Sequence, residues 1–278
     1  MSKMLHFCLI YLRRDILSIR FAVNVLIYCL LMIFFVFMDY KNDFSDEMGL
    51  YYFLRGVEYS GGSSLLLIIA ILPIATIFCE DWESGMIKFT LMRSGKNQYA
   101  FSLTLTSAFS SGLCVFFAYI LFSLFILTRH PLVPNINAEQ LQSEIYGFPN
   151  CELLASGNAV LCYFIYFLTR SSMTAFYAVF AVFQSVIITN RRLSVISPVI
   201  MGLVLSFVSR VIKLPSFLDP LVIFENHLKL YRDFGGSQEI MIFSPITALY
   251  PIIYCIVLVM IIAFAVTCVF KYKVSNNI

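Results

Sequence analysis

The chain reads as an all-α polytopic membrane protein with six transmembrane helices and both termini cytoplasmic. An amphipathic surface helix is expected before the first span and an outer amphipathic helix before the last. Three observations predict this. Mean hydropathy is +0.86, and 60% of the 278 residues are apolar against only 13% charged. The charges avoid the long apolar runs, whereas a soluble chain would scatter them over every helix. Finally, the basic residues collect in segments that six crossings place on one side.

The expected spans are Phe21–Met38, Ser63–Cys79, Tyr99–Thr128, Ser171–Thr189, Leu193–Ser209 and Pro245–Phe270. About 20 helical residues cover the ~30 Å hydrocarbon core, and runs of this length exceed any membrane strand. Six crossings put both termini on one side. That side holds eleven Lys and Arg (Lys3, Arg13, Arg14, Arg20, Lys88, Arg93, Lys96, Arg191, Arg192, Lys271, Lys273) and four acids (Asp15, Glu80, Asp81, Glu83), a net +7. The other side holds eight bases and twelve acids, a net −4, and together they give the chain's +3. Basic loops stay inside, so the termini are expected to be cytoplasmic. The N-terminal basic residues lie within or after the first apolar run rather than before it, and no small-residue cleavage site follows Met38, so no cleaved leader is expected.

Residues 4–20 place Leu5, Leu9, Leu12, Ile16 and Ile19 at spacings of 4, 3, 4 and 3, one helical face. A helix lying on the cytoplasmic membrane surface follows, rather than a plain extension of span one. The inner loop 80–98 opens with Glu80, Asp81 and Glu83, breaks at Gly85, and continues through Met86, Ile87, Phe89, Leu91 and Met92 to Arg93 and Lys96. Acids first and bases last suit the dipole of a short helix. Its apolar residues point to docking on a cytoplasmic partner. Gly95-Lys96 is no phosphate loop, because Thr90 and Asn97 stand where that motif needs Gly and Ser or Thr.

On the outside, 129–158 is polar and broken by Pro131, Pro134 and Pro149. Residues 159–169 are apolar but too few to cross, so they either extend span four or form a re-entrant piece. Loop 210–244 carries a helix signal: Asp219-Pro220, then Leu221, Phe224, Leu228 and Tyr231, then Gly235-Gly236.

Within the spans, Arg170 is the one ionisable residue, expected to snorkel at the outer boundary or else to serve a cavity or substrate exit. Gln184 is the other costly polar group. Together they are the candidate substrate path. Ser194, Pro198, Gly202 and Ser206 repeat every four residues, a face for close packing within the subunit or across a dimer. Ser107/Ser111 and Ala108/Gly112 offer the same in span three, and Pro73, Pro198 and Pro251 can kink their helices. The eight cysteines show no CxxC spacing, so neither a disulfide framework nor a zinc site is implied. With all three histidines outside the spans and no intramembrane acid or lysine expected, coupled secondary transport and membrane catalysis are disfavoured.

The layout resembles the ABC type 2 permease family, the transmembrane subunits of type V ABC exporters. The local likeness rests on Glu83-Ser84-Gly85-Met86-Ile87, then Leu91-Met92-Arg93 and Lys96. The family's Pro near the end of this stretch is replaced by Met92-Arg93-Ser94-Gly95, and its Lys early in span three is missing. The resemblance implies a non-catalytic permease subunit in the cell membrane whose coupling residues are Glu80, Asp81, Glu83, Met86, Ile87, Phe89, Leu91 and Arg93. It further implies an ABC ATPase subunit carrying ATP and Mg²⁺, a second permease subunit, and a hydrophobic or peptide substrate. No cofactor is expected on this chain and no nucleic-acid partner. The small face of span five would then be a candidate dimer seam. The rival expectation is a membrane-embedded immunity or accessory protein that binds without transport.

Overall fold

The computed structural model describes residues 2–40, 48–59, 63–134, 153–154, 156–212, 223 and 245–277. These are almost wholly helical, and no strand occurs among them. In chain order the helices are α1 Ser2–Ile16, α2 Ile19–Tyr40, α3 Leu50–Tyr59, α4 Ser63–Ala75, α5 Ile77–Glu83, α6 Met86–Ser94, α7 Lys96–Leu127, α8 Ala159–Ile187, α9 Arg191–Ile212 and α10 Pro245–Asn277. Six stretches are long and apolar enough to cross a bilayer: Ile19–Met38, Ser64–Glu83, Lys96–Leu127, Ala159–Ile187, Arg191–Ser209 and Leu249–Ser275. The protein is therefore an all-α, multi-pass membrane protein.

Helices α7 and α8 run antiparallel through the middle, and three apolar clusters line up along them. The first joins their upper halves (Tyr119, Phe122, Tyr163, Tyr166) to α2 and α3. The second joins Phe176 and Tyr177 of α8 to α4 and α10. The third joins Tyr99 and Val182 to Phe78, Ile87 and Phe270. Large apolar side chains on the outer faces of α2, α9 and α10, such as Leu30, Leu203 and Phe264, remain exposed. That is the distribution lipid requires, because acyl chains offer no reason to hide leucine.

Small residues let the central pair approach closely. Ser107 and Ser111 donate to the carbonyls four residues back, at 2.7 and 2.8 Å, so their hydroxyls cost nothing when buried. A Cβ added at Gly112 would sit 3.3 Å from the Ser171 carbonyl oxygen and 3.7 Å from Ala175 Cβ. Gly112→Leu is therefore expected to destabilise the bundle by about 1–3 kcal/mol through overpacking, read by thermal melting in detergent. An unchanged melt would show that α7 and α8 can part.

Four sequence expectations change. Residues 159–169 belong to α8, so span four is one 29-residue helix and the re-entrant alternative falls. Span two does not stop at Cys79 but continues through a break at Thr76 to Glu83. The break follows Pro73, which lacks an N–H for the helical ladder. α3 was not expected at all, although Leu50, Phe53, Leu54 and Val57 stand at helical spacing and are all buried. Lastly, the small face of α9 turns inward. Ser194 and Pro198 are buried, Cys79 Sγ lies 3.7 Å from Ser194 Oγ, and a Cβ at Gly202 would face the Tyr177 hydroxyl. Ser194 and Gly202 thus meet α5 and α8 of the same chain. The side chain of Ser206, the helix expected between Asp219-Pro220 and Gly235-Gly236 (except Ile223) and most of loop 210–244 lie outside the described residues.

Candidate functional site

One end of the bundle gathers the ends of α1, α5, α8 and α10 and the starts of α7 and α9, with α6 lying across them. Helix α6 is bracketed by two glycines in positive φ, Gly85 at 72° and Gly95 at 79°, conformations that side-chain-bearing residues adopt only with strain. Between them the nine residues divide into two faces. Ile87 and Ser94 are buried and Leu91 is half-buried, seated against Phe78, Tyr99 and Val274. Met86, Phe89 and Met92 recur every third residue on the other side and are 54, 66 and 82% exposed. Lys88 and Arg93 flank them, also exposed. Helix α6 thus presents an exposed apolar ridge framed by bases, with a glycine at each end.

The acids that the sequence assigned to the start of this helix are elsewhere. Its first turn holds none. Glu80, Asp81 and Glu83 lie on α5, at the carboxyl end of span two, where the helix dipole opposes them. Local partners offset that cost. Thr76 Oγ1 donates to Glu80 Oε1 at 3.0 Å, Tyr99 donates to Asp81 Oδ2 at 2.9 Å, and Arg191 Nη2 donates to Glu83 Oε2 at 2.5 Å. The Arg191–Glu83 pair is half-exposed and contributes little to stability. It ties the start of α9 to the end of α5. Asp15, at the end of α1, faces the same group: burial pushes its carboxyl above the usual range, Arg14 opposes this, and Asp81 adds to it. Beside them Lys273 of α10 donates to the Val186 carbonyl at 2.6 Å and sits 5.0 Å from the Trp82 ring.

So the eight predicted coupling residues split three ways. Met86, Phe89 and Arg93 are presented outward, Ile87 and Leu91 anchor the helix, and the three acids belong to α5. Met92 is the outward residue missing from that set. Its signal was the three-residue spacing from Met86 and Phe89.

The second polar constellation lies deeper. Arg170, expected to snorkel, instead pairs with Glu58 of α3, and Tyr166 donates to the same carboxylate. The two side chains are only 15 and 22% exposed. The guanidinium lies over the Tyr166 ring at 5.3 Å, and Tyr119 packs edge-on to Tyr166 at 5.8 Å. The Arg170 charge is thus matched by Glu58 beside the Tyr166 and Tyr119 rings. Glu58 is the partner the sequence reading placed outside. Gln184 is half-buried fourteen residues along the same helix, roughly 21 Å away, so it and Arg170 do not form one site. Among the described residues no cluster of His, Cys, Asp or Glu is arranged to hold a metal.

Between α1–α2 and α4–α5, closed behind by α7, lies a cavity of about 1250 Å³. Asn24 reaches across its deep end to Cys114, with Nδ2 3.3 Å from Sγ. Comparison with protein-family models, with curated proteins and with solved structures finds no match for this chain.

Proposed function

We propose that this chain is the transmembrane permease subunit of an ATP-driven ABC exporter, with α6 as its coupling helix. The observation that carries the reading is the exposed Met86–Phe89–Met92 ridge between Gly85 and Gly95. Supporting it are the six candidate spans, the separate N-terminal helix and the position of α6 between spans two and three, the layout that resembles ABC type 2 permeases. In this reading both termini and α6 face the cytoplasm of a plasma-membrane protein. A separate ATPase binds ATP and Mg²⁺ and receives the ridge in its cleft. A second permease subunit, identical or homologous, completes the path for a hydrophobic or peptide substrate.

Purification of the chain in mild detergent from its native host, followed by mass spectrometry, tests this. A stoichiometric partner carrying a phosphate-binding loop is expected, and Phe89→Asp and Met92→Asp should each remove it while the chain still inserts. A chain that comes out alone, or with a partner lacking such a loop, overturns the exporter reading in favour of an accessory or immunity protein.

A further inference from the structure

Helix α6 carries a sign as well as a shape. At about 100° of turn per residue, Met86 and Met92 lie roughly 60° to either side of Phe89. Lys88 stands about 100° to one side of Phe89 and Arg93 about 40° to the other. Both bases are exposed, and neither side chain has an ion-pair partner among the described residues. No acid occurs between Glu83 and Glu139, so α6 and α7 hold none. Asp15, Glu80, Asp81 and Glu83 line the cavity between α1–α2 and α4–α5, which no ridge residue borders.

A helix lying on a membrane turns its one apolar face to lipid. Helix α6 has already used Ile87 and Leu91 to seat itself on the bundle end, and the ridge points the other way. A protein surface is the occupant that fits. We infer that the ridge is received by a cleft with an apolar floor and carboxylates on both rims, carried by the proposed ATPase subunit. The inference rests on α6 being the coupling helix. Phe89 takes the centre of the floor, and the flexible thioethers of Met86 and Met92 fill its irregular edges. Lys88 and Arg93 face opposite rims. A basic rim would repel them, whereas an acidic one attracts and steers the approach over a Debye length of ~10 Å at ~0.1 M salt. The two bases are staggered by about 7.5 Å along the axis, so matching carboxylates would also fix which way α6 lies in the cleft.

The co-purified ATPase is the probe, with its association to the detergent-purified chain followed by biolayer interferometry. Lys88→Gln and Arg93→Gln should each slow association about threefold at ~0.1 M salt. Parent and variants should converge at ~1 M salt, where the Debye length is ~3 Å. Arg13→Gln, at an exposed base on α1, should associate like the parent. A carbodiimide, which joins an amine only to a carboxylate in contact with it, should link Lys88 to an Asp or Glu of the ATPase. In proteoliposomes without the ATPase, an acetylating reagent should label Lys88 equally in phosphatidylglycerol and in phosphatidylcholine. Salt-independent association, a bound ATPase with no link from Lys88, or protection of Lys88 by phosphatidylglycerol alone would each overturn the acidic cleft. The last of these assigns the ridge to the membrane surface. The first two occur with the ATPase still bound and leave the exporter reading standing, whereas a chain with no ATPase partner removes both.

Discussion

Truncating Arg170 to alanine is expected to lower stability by about 3 kcal/mol, the largest single-residue effect outside the apolar clusters. Removing the guanidinium strands the Glu58 carboxylate in an aromatic shell, with only the Tyr166 hydroxyl left of the two donors described here. Glu58→Gln leaves the opposite charge behind and should cost a similar amount. The exchange Glu58→Arg with Arg170→Glu restores attraction and should recover part of the loss, which a pure packing defect would not. Thermal melting followed by a thiol-reactive dye suits this chain, because Cys29, Cys79, Cys114, Cys162 and Cys255 are all buried until it unfolds. Single variants that melt like the parent would mean the pair contributes nothing to the fold.

The second large effect separates the two faces of α6. Ile87→Asp places a carboxylate where only 2% of the side chain is exposed, against Phe78 and Tyr99. Desolvating that charge is expected to cost about 3 kcal/mol or more, or to unseat α6 altogether. Met92→Asp changes a residue that is 82% exposed and should leave the melt within about 0.5 kcal/mol of the parent. If Met92→Asp also lowers the melt strongly, the ridge belongs to an interface within this chain and not to a docking surface. A partner lost with Ile87→Asp alone therefore says little about coupling, whereas one lost with Met92→Asp says much.

The spans were legible because their physics is one-dimensional. About 20 apolar residues without charge must cross, and a period of 3.6 adds nothing where both faces are apolar, as on α10. The kink after Pro73 and the short α6 after Gly85 were equally readable from local chemistry. What the sequence could not say was which residue meets which. Glu58 and Arg170 are 112 positions apart, and nothing local to either predicts that α3 folds back onto α8. Nor could the small face of α9 name its neighbours within the chain, which the fold gives as Cys79 of α5 at Ser194 and Tyr177 of α8 at Gly202. The acids of the inner loop were read as a helix start because composition suited a dipole. Span two simply ran four residues further than hydropathy alone required.

Trp82 is the chain's single tryptophan, and its place has a practical consequence. It sits in the last turn of α5, stacked near Phe78 at 5.8 Å and beneath the Lys273 ammonium at 5.0 Å. An indole's emission responds to a nearby cation and to the wetness of its surroundings. Any event that shifts α6 on its glycine hinges, or slides the end of α10 past α5, alters both at once. The unlabelled protein thus carries its single tryptophan at the root of α6. Its fluorescence spectrum would read movement of that helix in real time, without a second tryptophan to subtract.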